Sequence, residues 1–373
     1  MGDSGLYSSA SSGFEQSDTA GGERPGLKVE AGDSGGRAAA AAAAAAIGMV
    51  LAFCAGQWSV PVAPPAGAAP PAGAVLTGGA ARGAGGAWAP LPAADTVLEM
   101  IAFGSCADQQ YPAPFWDTIA QFSPAFFIYG GDNVYGDATG DVGHLDLSPL
   151  AAAYNGLASH PSFVGSKGVL PIMPIWDDHD YGMNDGGADF ALKDQTKQMF
   201  LDFYDIPPED PRSSRAGLYH SYSFGPAEQR VQVILLDQRY FRGSFNLASA
   251  ADRAAYTPGR ERYLVDDAST ETILGEEQWA WLEEQFLQPA TVRIVVASFQ
   301  LAVAGHGFER WGLIPAELKR FYDLIDSTRA NGVIVLSGDR HIGAIYKETG
   351  GQAYTVGGVT YGPFTVPYPI YEM

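Results

Sequence analysis

"PAFFIYGGDNVYGD", Pro124 to Asp137, is an apolar run that drives into two glycines and an aspartate, with a tyrosine three positions past the aspartate. An apolar run of this length closed by glycine reads as a buried strand. The same pattern recurs along the chain. "VLEMIAFGSC" reads as a strand ending at Cys106, "VLPIMPIWDDHD" as one ending at Asp177 to Asp180, and "YHSYSFG" with "VQVILLD" as an antiparallel pair. "TVRIVVASFQ" is a buried strand running to Gln300, and "NGVIVLSGDRH" another, ending in Asp339, Arg340 and His341. Between them, "GEEQWAWLEEQF" has the acidic first turn and apolar spacing of an amphipathic helix, and "PAELKRFYDLIDSTR" opens a helix with proline. Strand and helix alternate with a hairpin inserted, which predicts an α/β fold with a largely buried sheet, or two sheets packed together.

The chain has 373 residues, enough for one large core or two modest ones. Only 17% of them are charged, yet 42 acids face 22 bases, a formal net charge of −20. That balance argues against nucleic acid or an anionic membrane surface as a partner of the body. An anionic substrate would need local positive charge, which bound cations supply. The two cysteines, Cys54 and Cys106, make no disulfide framework.

Four stretches follow from composition. Residues 1–37 are a polar tail rich in Gly, Ser, Asp and Glu. Residues 38–56 carry no charge over 19 positions, opening on nine consecutive alanines, a length that crosses a bilayer as a helix. Arg24, Lys28 and Arg37 precede this run and no base follows until Arg82, which keeps the tail cytoplasmic and sends the body across. The expectation is a single-pass membrane protein with its catalytic domain outside or lumenal, or a protein secreted after cleavage of this segment. A buried alanine helix is the alternative. Residues 57–96 read as a Pro/Ala/Gly linker, and 97–373 as the folded domain.

The chemistry gathers where the predicted strands end: Cys106, Asp132, the Asp177–Asp178–His179 cluster, Gln300, and the Asp339–Arg340–His341 cluster. In open α/β sheets ligands bind beyond the carboxyl ends of strands. Any one Asp there is equally well a cap, and Cys106 alone a small buried hydrophobe. Together, carboxylate, imidazole, thiolate and phenolate describe a polynuclear metal site. A carboxylate such as Asp132 has lone pairs enough to bridge two cations, which could clamp both the attacking and the leaving oxygen of a displacement. A phenol with a pKa of about 10 is a poor ligand for divalent ions at neutral pH. Tyr135 therefore either binds a trivalent ion beside Asp132 or packs under the loop. Arg340 and Arg239 either clamp a phosphate or pair with the surplus carboxylates. His306 and Glu309, in "GHGFERW", either line the pocket or belong to an ordinary loop, and His144, His160 and His220 read as structural.

"FGSC", "GGDNVYGD", "PIWDDHDYGMND", "VQVILLDQRYFR", "ILGEEQWAWLEEQF" and "LSGDRHIGAIY" run in order over roughly residues 98–345. In that order they resemble the motifs of alkaline phosphatase D (PhoD-like) phosphatases, within the calcineurin-like metallophosphoesterase superfamily. The Asp132–Tyr135 spacing also resembles that of purple acid phosphatases, whose tyrosinate binds ferric iron. The resemblance implies a four-layer αββα sandwich with two central mixed sheets and metals at one edge. It implies Asp132 as the bridging carboxylate, Cys106 and Tyr135 as iron ligands, and Asp178, Asp339 and His341 as further metal ligands. His179 takes the place of the histidine that contacts phosphate or protonates the leaving group, with Arg340 beside it. Asp where the superfamily has His hardens the site toward calcium, so the implied cofactors are Fe(III) and Ca(II), with Zn, Mn and Mg open. "VASFQ" lacks the superfamily's usual histidine, which leaves Gln300 as the candidate ligand at that strand end.

The expected activity is hydrolysis of a small-molecule phosphoester by a metal-bound hydroxide, in the manner of an alkaline phosphatase D phosphomonoesterase. The alternatives are phosphodiesterase or phospholipase D-type activity on the same fold, and an inactive membrane-tethered metal-binding protein.

Overall fold

The computed structural model describes residues 48–51, 87–141, 143–256, 259–356 and 359–373. The expected polar tail, most of the uncharged run and most of the linker lie outside the described residues. Four strands form one sheet in the order β1 (Gly48–Leu51), β2 (Met100–Gly104), β3 (Phe127–Gly130) and β4 (Ile172–Ile175), every neighbouring pair parallel. The second half of the chain adds β5 (His220–Phe224), β6 (Val231–Leu235), the ribbon β7 (Asn246–Leu247) with β8 (Tyr263–Leu264), then β9 (Val292–Ala297), β10 (Val333–Ser337) and β11 (Tyr346–Glu348). A ribbon of β12 (Tyr354–Val356) and β13 (Val359–Tyr361) and the strand β14 (Ile370–Glu372) complete it. The second sheet runs β11-β14-β10-β9-β6-β5, parallel at its centre and antiparallel at both edges. The expected β5–β6 hairpin and both expected helices, Gly275–Phe286 and Pro315–Thr328, are present.

Strand alternation explains why the central runs read as continuously apolar. Successive side chains point to opposite faces, and here both faces are covered. In the first sheet Ile101, Phe103, Ile128, Met173 and Ile175 join one core, and Val233, Leu235, Ile294, Val296 and Leu336 of the second sheet join the same core. The alternate residues turn away from it. Ala102, Phe127 and Tyr129 pack with Trp116, Leu157, Phe163 and Phe200, which sit on helices. Ile234, Val295, Ala297 and Val335 pack with Trp279, Leu282, Leu318 and Phe321 on the two long helices. The two sheets thus share a core, and each has a second core on its other face.

Two sequence expectations need correction. Of the uncharged run expected to cross a membrane as a helix, Gly48–Leu51 is a strand whose backbone continues the sheet beside β2. Four uncharged residues beside an open sheet edge gain backbone hydrogen bonds there. Among the described residues no helix is long and apolar enough to cross a membrane. The linker, in turn, ends earlier than composition suggested. Trp88 packs on Phe163, Phe203 and Tyr204 with ring centroids 5.3–6.0 Å apart, Ala89 donates its N–H to Lys167 O, and Leu91 touches the inter-sheet core. A lone aromatic in a Pro/Ala/Gly stretch carries no periodic signal, yet one ring is enough to pin it.

Candidate metal centre

Cys106, Asp132, Asp177 and Asp339 each stand two residues beyond the last residue of a strand, namely β2, β3, β4 and β10. Both sheets therefore deliver side chains to one rim. Asp237 holds the same station after β6, but its carboxylate caps backbone, accepting from Leu218, Arg239 and Tyr240 N–H groups at 2.7–2.9 Å. Cys106, Asp132, Asp339 and His341 all adopt left-handed backbone, φ 49–68°, a conformation non-glycine residues keep only where surroundings impose it. Glycine lets the rims meet. A Cβ on Gly131, at φ 101°, would stand 2.7 Å from Asp177 Cβ, and one on Gly338 would stand 2.6 Å from Ser105 Oγ and 3.1 Å from Gly130 O.

Asp132 is the hub. Its Oδ2 lies 3.5 Å from Cys106 Sγ and 3.4 Å from the Tyr135 hydroxyl, while Oδ1 accepts from the His179 N–H at 3.4 Å. The Tyr135 hydroxyl is also 2.9 Å from His341 Nε2. Ligand-capable atoms of Cys106, Asp132 and His341 lie within 4.8 Å of one another, as do those of Asp132, Asp178 and His179. The two sets share Asp132. The third predicted carboxylate, Asp339, is half-buried at the same place, but its Oδ2 is buried and lacks a hydrogen bond.

The electrostatics are those of anions crowded out of water. Burial, then the neighbouring Asp178, Asp177, Asp180 and Asp339, push the Asp132 carboxyl well above the usual range. Burial, then Asp177 and Asp178, do the same to Asp339, and burial with Asp132 raises the Cys106 thiol. Burial and Asp132 also push the Tyr135 phenol up, so it ionises only beside a strong cation. Asp178 moves the other way: burial opposes ionisation, but the Arg239 guanidinium and His179 outweigh it. Its Oδ1 is buried without a hydrogen bond, and its Oδ2 accepts the Asp185 N–H at 2.7 Å. A thiol, a phenol, imidazoles and orphaned carboxylate oxygens converging at one rim fit a mixed group of cations, a transition metal where thiol and imidazole donate and a harder ion where carboxylates do.

Around this rim the remaining candidates separate. Arg239 is fully buried, its Nε on Asp177 at 2.6 Å and its Nη1 on Glu309 at 2.7 Å. It is the counter-charge for those carboxylates and has no face for a phosphate, which corrects its reading as a substrate-binding residue. Arg340 has no carboxylate partner among the described residues. Its guanidinium lies 3.9 Å over the Phe308 ring, half-buried, and helps to hold His341 below the ordinary imidazole range after burial. Gln300 is engaged elsewhere: its Oε1 is 2.9 Å from His306 Nε2 and its Nε2 donates to Tyr346 OH at 3.3 Å. His306 Nδ1 accepts from the Phe308 N–H, so the ring is neutral with its proton on Nε2. Burial, with Arg340 and Arg310, holds its pKa down at about 4.

Sequence reasoning passed over Asp137 and Asp180. Asp137 receives His179 Nδ1 at 3.0 and 3.1 Å. Burial alone would lower the His179 pKa, but Asp137 and Asp178 raise it to about 9. Asp180 caps its own short helix through Asp177 N–H and takes two bonds from Asn133, tying the β3 and β4 ends together. Asp137 lay in plain view at the close of the opening motif; its two-residue offset from Tyr135 was the available signal.

The sequence profile of the PhoD-like phosphatases matches residues 101–350, two thirds of the chain and every residue of this rim. The chain belongs to the PhoD-like phosphatase family. Alkaline phosphatase D of Bacillus subtilis (strain 168) is 24% identical over 292 residues, covering 68% of this chain and 47% of that protein. A solved structure titled "Structure of PhoD" aligns with a TM-score of 0.51 at 19% identity, over 70% of this chain and 54% of that one. This PhoD-like chain thus spans about half the length of the relatives it matches. The shared mixed α/β fold agrees with the two-sheet arrangement described above.

Proposed function

We propose that this PhoD-like chain hydrolyses small-molecule phosphoesters at a metal centre built around Asp132. The observation that carries this reading is the sharing of Asp132 between two groups of side chains, donors Cys106, Tyr135 and His341 on one side and donor Asp178, with the imidazole of His179 standing beside it, on the other. Asp339 belongs with them by its buried and unbonded Oδ2. The name of the Bacillus relative, alkaline phosphatase D, supports the reaction class. When bound, the cations would screen the phosphoryl charge and make water a better nucleophile near neutral pH. Cys106 and Tyr135 favour Fe(III) on their side and the aspartates favour Ca(II) on theirs, with Zn, Mn and Mg as the alternatives an elemental analysis would distinguish.

The protein's own groups supply the rest. His179, kept protonated by Asp137 and aimed with Nε2 free, donates a proton to the departing alkoxide. Arg340, the guanidinium without a carboxylate partner, holds phosphoryl oxygens at the rim. The three cores flanking and joining the sheets support a four-layer αββα arrangement as the scaffold. A position outside the cytoplasm belongs to the same proposal, resting on secretion directed by the apolar residues 38–47 and the bases that precede them, with Gly48–Leu51 left to the sheet. Cell fractionation against a cytosolic marker checks it: a body recovered in the cytosol sinks it.

The central test is hydrolysis of matched aryl phosphate monoesters and diesters, with metal analysis of the same preparation. Turnover lost in Asp132→Asn together with metal supports the reading, and the faster ester class fixes the preference. A wild-type protein that binds cations and hydrolyses neither ester would instead be a binding protein.

A further inference from the structure

The loop that carries Tyr135 has no regular strand or helix of its own, yet its phenol must stand within reach of both Asp132 and His341. What fixes it is a side chain from another loop. The Tyr135 N–H donates to Gln109 Oε1 at 2.9 Å, and Gln109 Nε2 donates to Tyr135 O at 3.0 Å. One carboxamide thus satisfies both backbone groups of one residue, as a neighbouring strand would. Gln109 follows Cys106 by three positions, and the bonds Cys106 N to Gly131 O and Ala107 N to Asp132 O run alongside. The clamp therefore extends a ladder that already ties the Cys106 loop to the Asp132 loop. Its far side is backed by the helix Ser148–Ser159: a Cβ on Gly156 would stand 3.2 Å from Gln109 Cγ. Any side chain there would press the carboxamide toward Tyr135. Gln109 spends both its amide oxygen and its amide nitrogen on the Tyr135 backbone.

From this geometry we infer that Gln109 is a positioning residue: it holds Tyr135 by its backbone so that the phenol enters the donor set with Cys106, Asp132 and His341. The inference rests on the metal-centre reading above and adds to it which group sets the phenol's place. Outer groups that orient ligands typically carry about 10–100-fold in metal affinity or activity, although they touch neither metal nor substrate. Without the clamp, the phenol would keep its chemistry and lose its address.

The test follows the phenol rather than turnover alone. Metal-depleted protein is titrated with ferric iron, and ionisation of the tyrosine is read by ultraviolet difference absorption and by the visible phenolate–iron band. Wild type, Tyr135→Phe, Gln109→Ala and Gln109→Glu are compared. Gln109→Glu is isosteric, still accepts the Tyr135 N–H and cannot donate to Tyr135 O, so it serves if Gln109→Ala fails to fold. The expected result is a band in wild type that Tyr135→Phe abolishes and both Gln109 variants weaken. It comes with a loss of about 10–100-fold in iron affinity and a fall in kcat at nearly constant KM. Gln109 variants with the wild-type band and affinity overturn the inference and leave the metal centre standing. A wild type that takes up no iron, or whose spectrum matches that of Tyr135→Phe, overturns the inference together with the Fe(III) assignment.

Discussion

Asp137 grips His179 by one ring nitrogen, Nδ1, with carboxylate oxygens at 3.0 and 3.1 Å. That contact fixes which nitrogen is spent on orientation and leaves Nε2 for chemistry. Replacing His179 by Ala should lower kcat by about 10²–10⁴-fold, the usual worth of a general acid. Metal content should change little, because the aspartates, Cys106, Tyr135 and His341 remain. Asp137→Asn should cost of order tenfold, since one charge-assisted hydrogen bond at a half-exposed carboxylate is removed while the imidazole stays. Steady-state kinetics with parallel metal analysis decide it. Equal losses of metal and activity in His179→Ala would make this histidine a ligand and not a proton donor.

Two arginines that looked alike in the sequence should behave oppositely. Arg239, fully buried between Asp177 and Glu309, neutralises carboxylates that have no water to turn to. Arg239→Ala should destabilise the fold by about 3–5 kcal/mol, the cost of stranding buried charge, and denaturant unfolding would show it. Arg340 is stacked on Phe308 without a carboxylate partner among the described residues. Arg340→Ala should leave the unfolding midpoint within about 0.5 kcal/mol and raise KM for a phosphoester. An Arg340 variant that unfolds early with KM unchanged would transfer that guanidinium to the structural class.

Much of this was legible in the sequence because strand ends announce themselves. Apolar runs buried on both faces stop abruptly, and the residue that follows is polar for a reason; Cys106, Asp132 and Asp339 were found that way. What the sequence left open was partner choice. Whether Arg239 or Arg340 met a carboxylate depends on which loops face each other across the two sheets, and neighbours 62 and 70 positions apart leave no local pattern. Asp177 and Asp178 are adjacent in sequence, yet Asp177 serves Arg239 and Ser298 while Asp178 turns to the metal rim. Gln109 was silent for the same reason, being an ordinary loop amide until Tyr135 is placed against it. The linker boundary failed differently: Trp88 is one aromatic among small residues, and only the cavity between Phe163, Phe203 and Tyr204 gives it a role.

Removing cations should cost stability as well as activity. Asp177 and Asp178 raise the proton affinity of Asp132 and Asp339 at this rim, and Arg239 pairs with Asp177 and Asp178 but with neither of those two. A chelator should therefore lower Tm at neutral pH, by an amount that grows with the free-metal concentration it replaces. Asp339→Asn should behave in the reverse sense. It removes one repelling charge, so the metal-free variant should melt above metal-free wild type, while binding metal more weakly. Calorimetry with and without chelator checks both signs. A wild type whose Tm ignores the chelator would mean that the carboxylates are held protonated.

Far from the rim, Asp210 offers a pH dependence with a clear sign. Its carboxylate caps the short helix Pro211–Ser214 through the Arg212 N–H at 2.9 Å and pairs with the Arg212 guanidinium at 2.8 Å. Burial alone would raise its pKa, but Arg212 outweighs burial and lowers it from 3.8 to about 2. A carboxylate whose folded pKa is depressed adds stability that is fully present above its unfolded value. That stability is lost as pH falls through the folded one, here between about 4 and about 2. The full shift would be worth about 2 kcal/mol, and partial solvent screening brings the expected contribution nearer to about 1 kcal/mol. Asp210→Asn should therefore unfold earlier than wild type near neutral pH, and the gap in denaturation midpoint should close as the solution is acidified toward about pH 2. Asn keeps the helix cap, so a gap that stays constant across that range would remove the ion pair from the account.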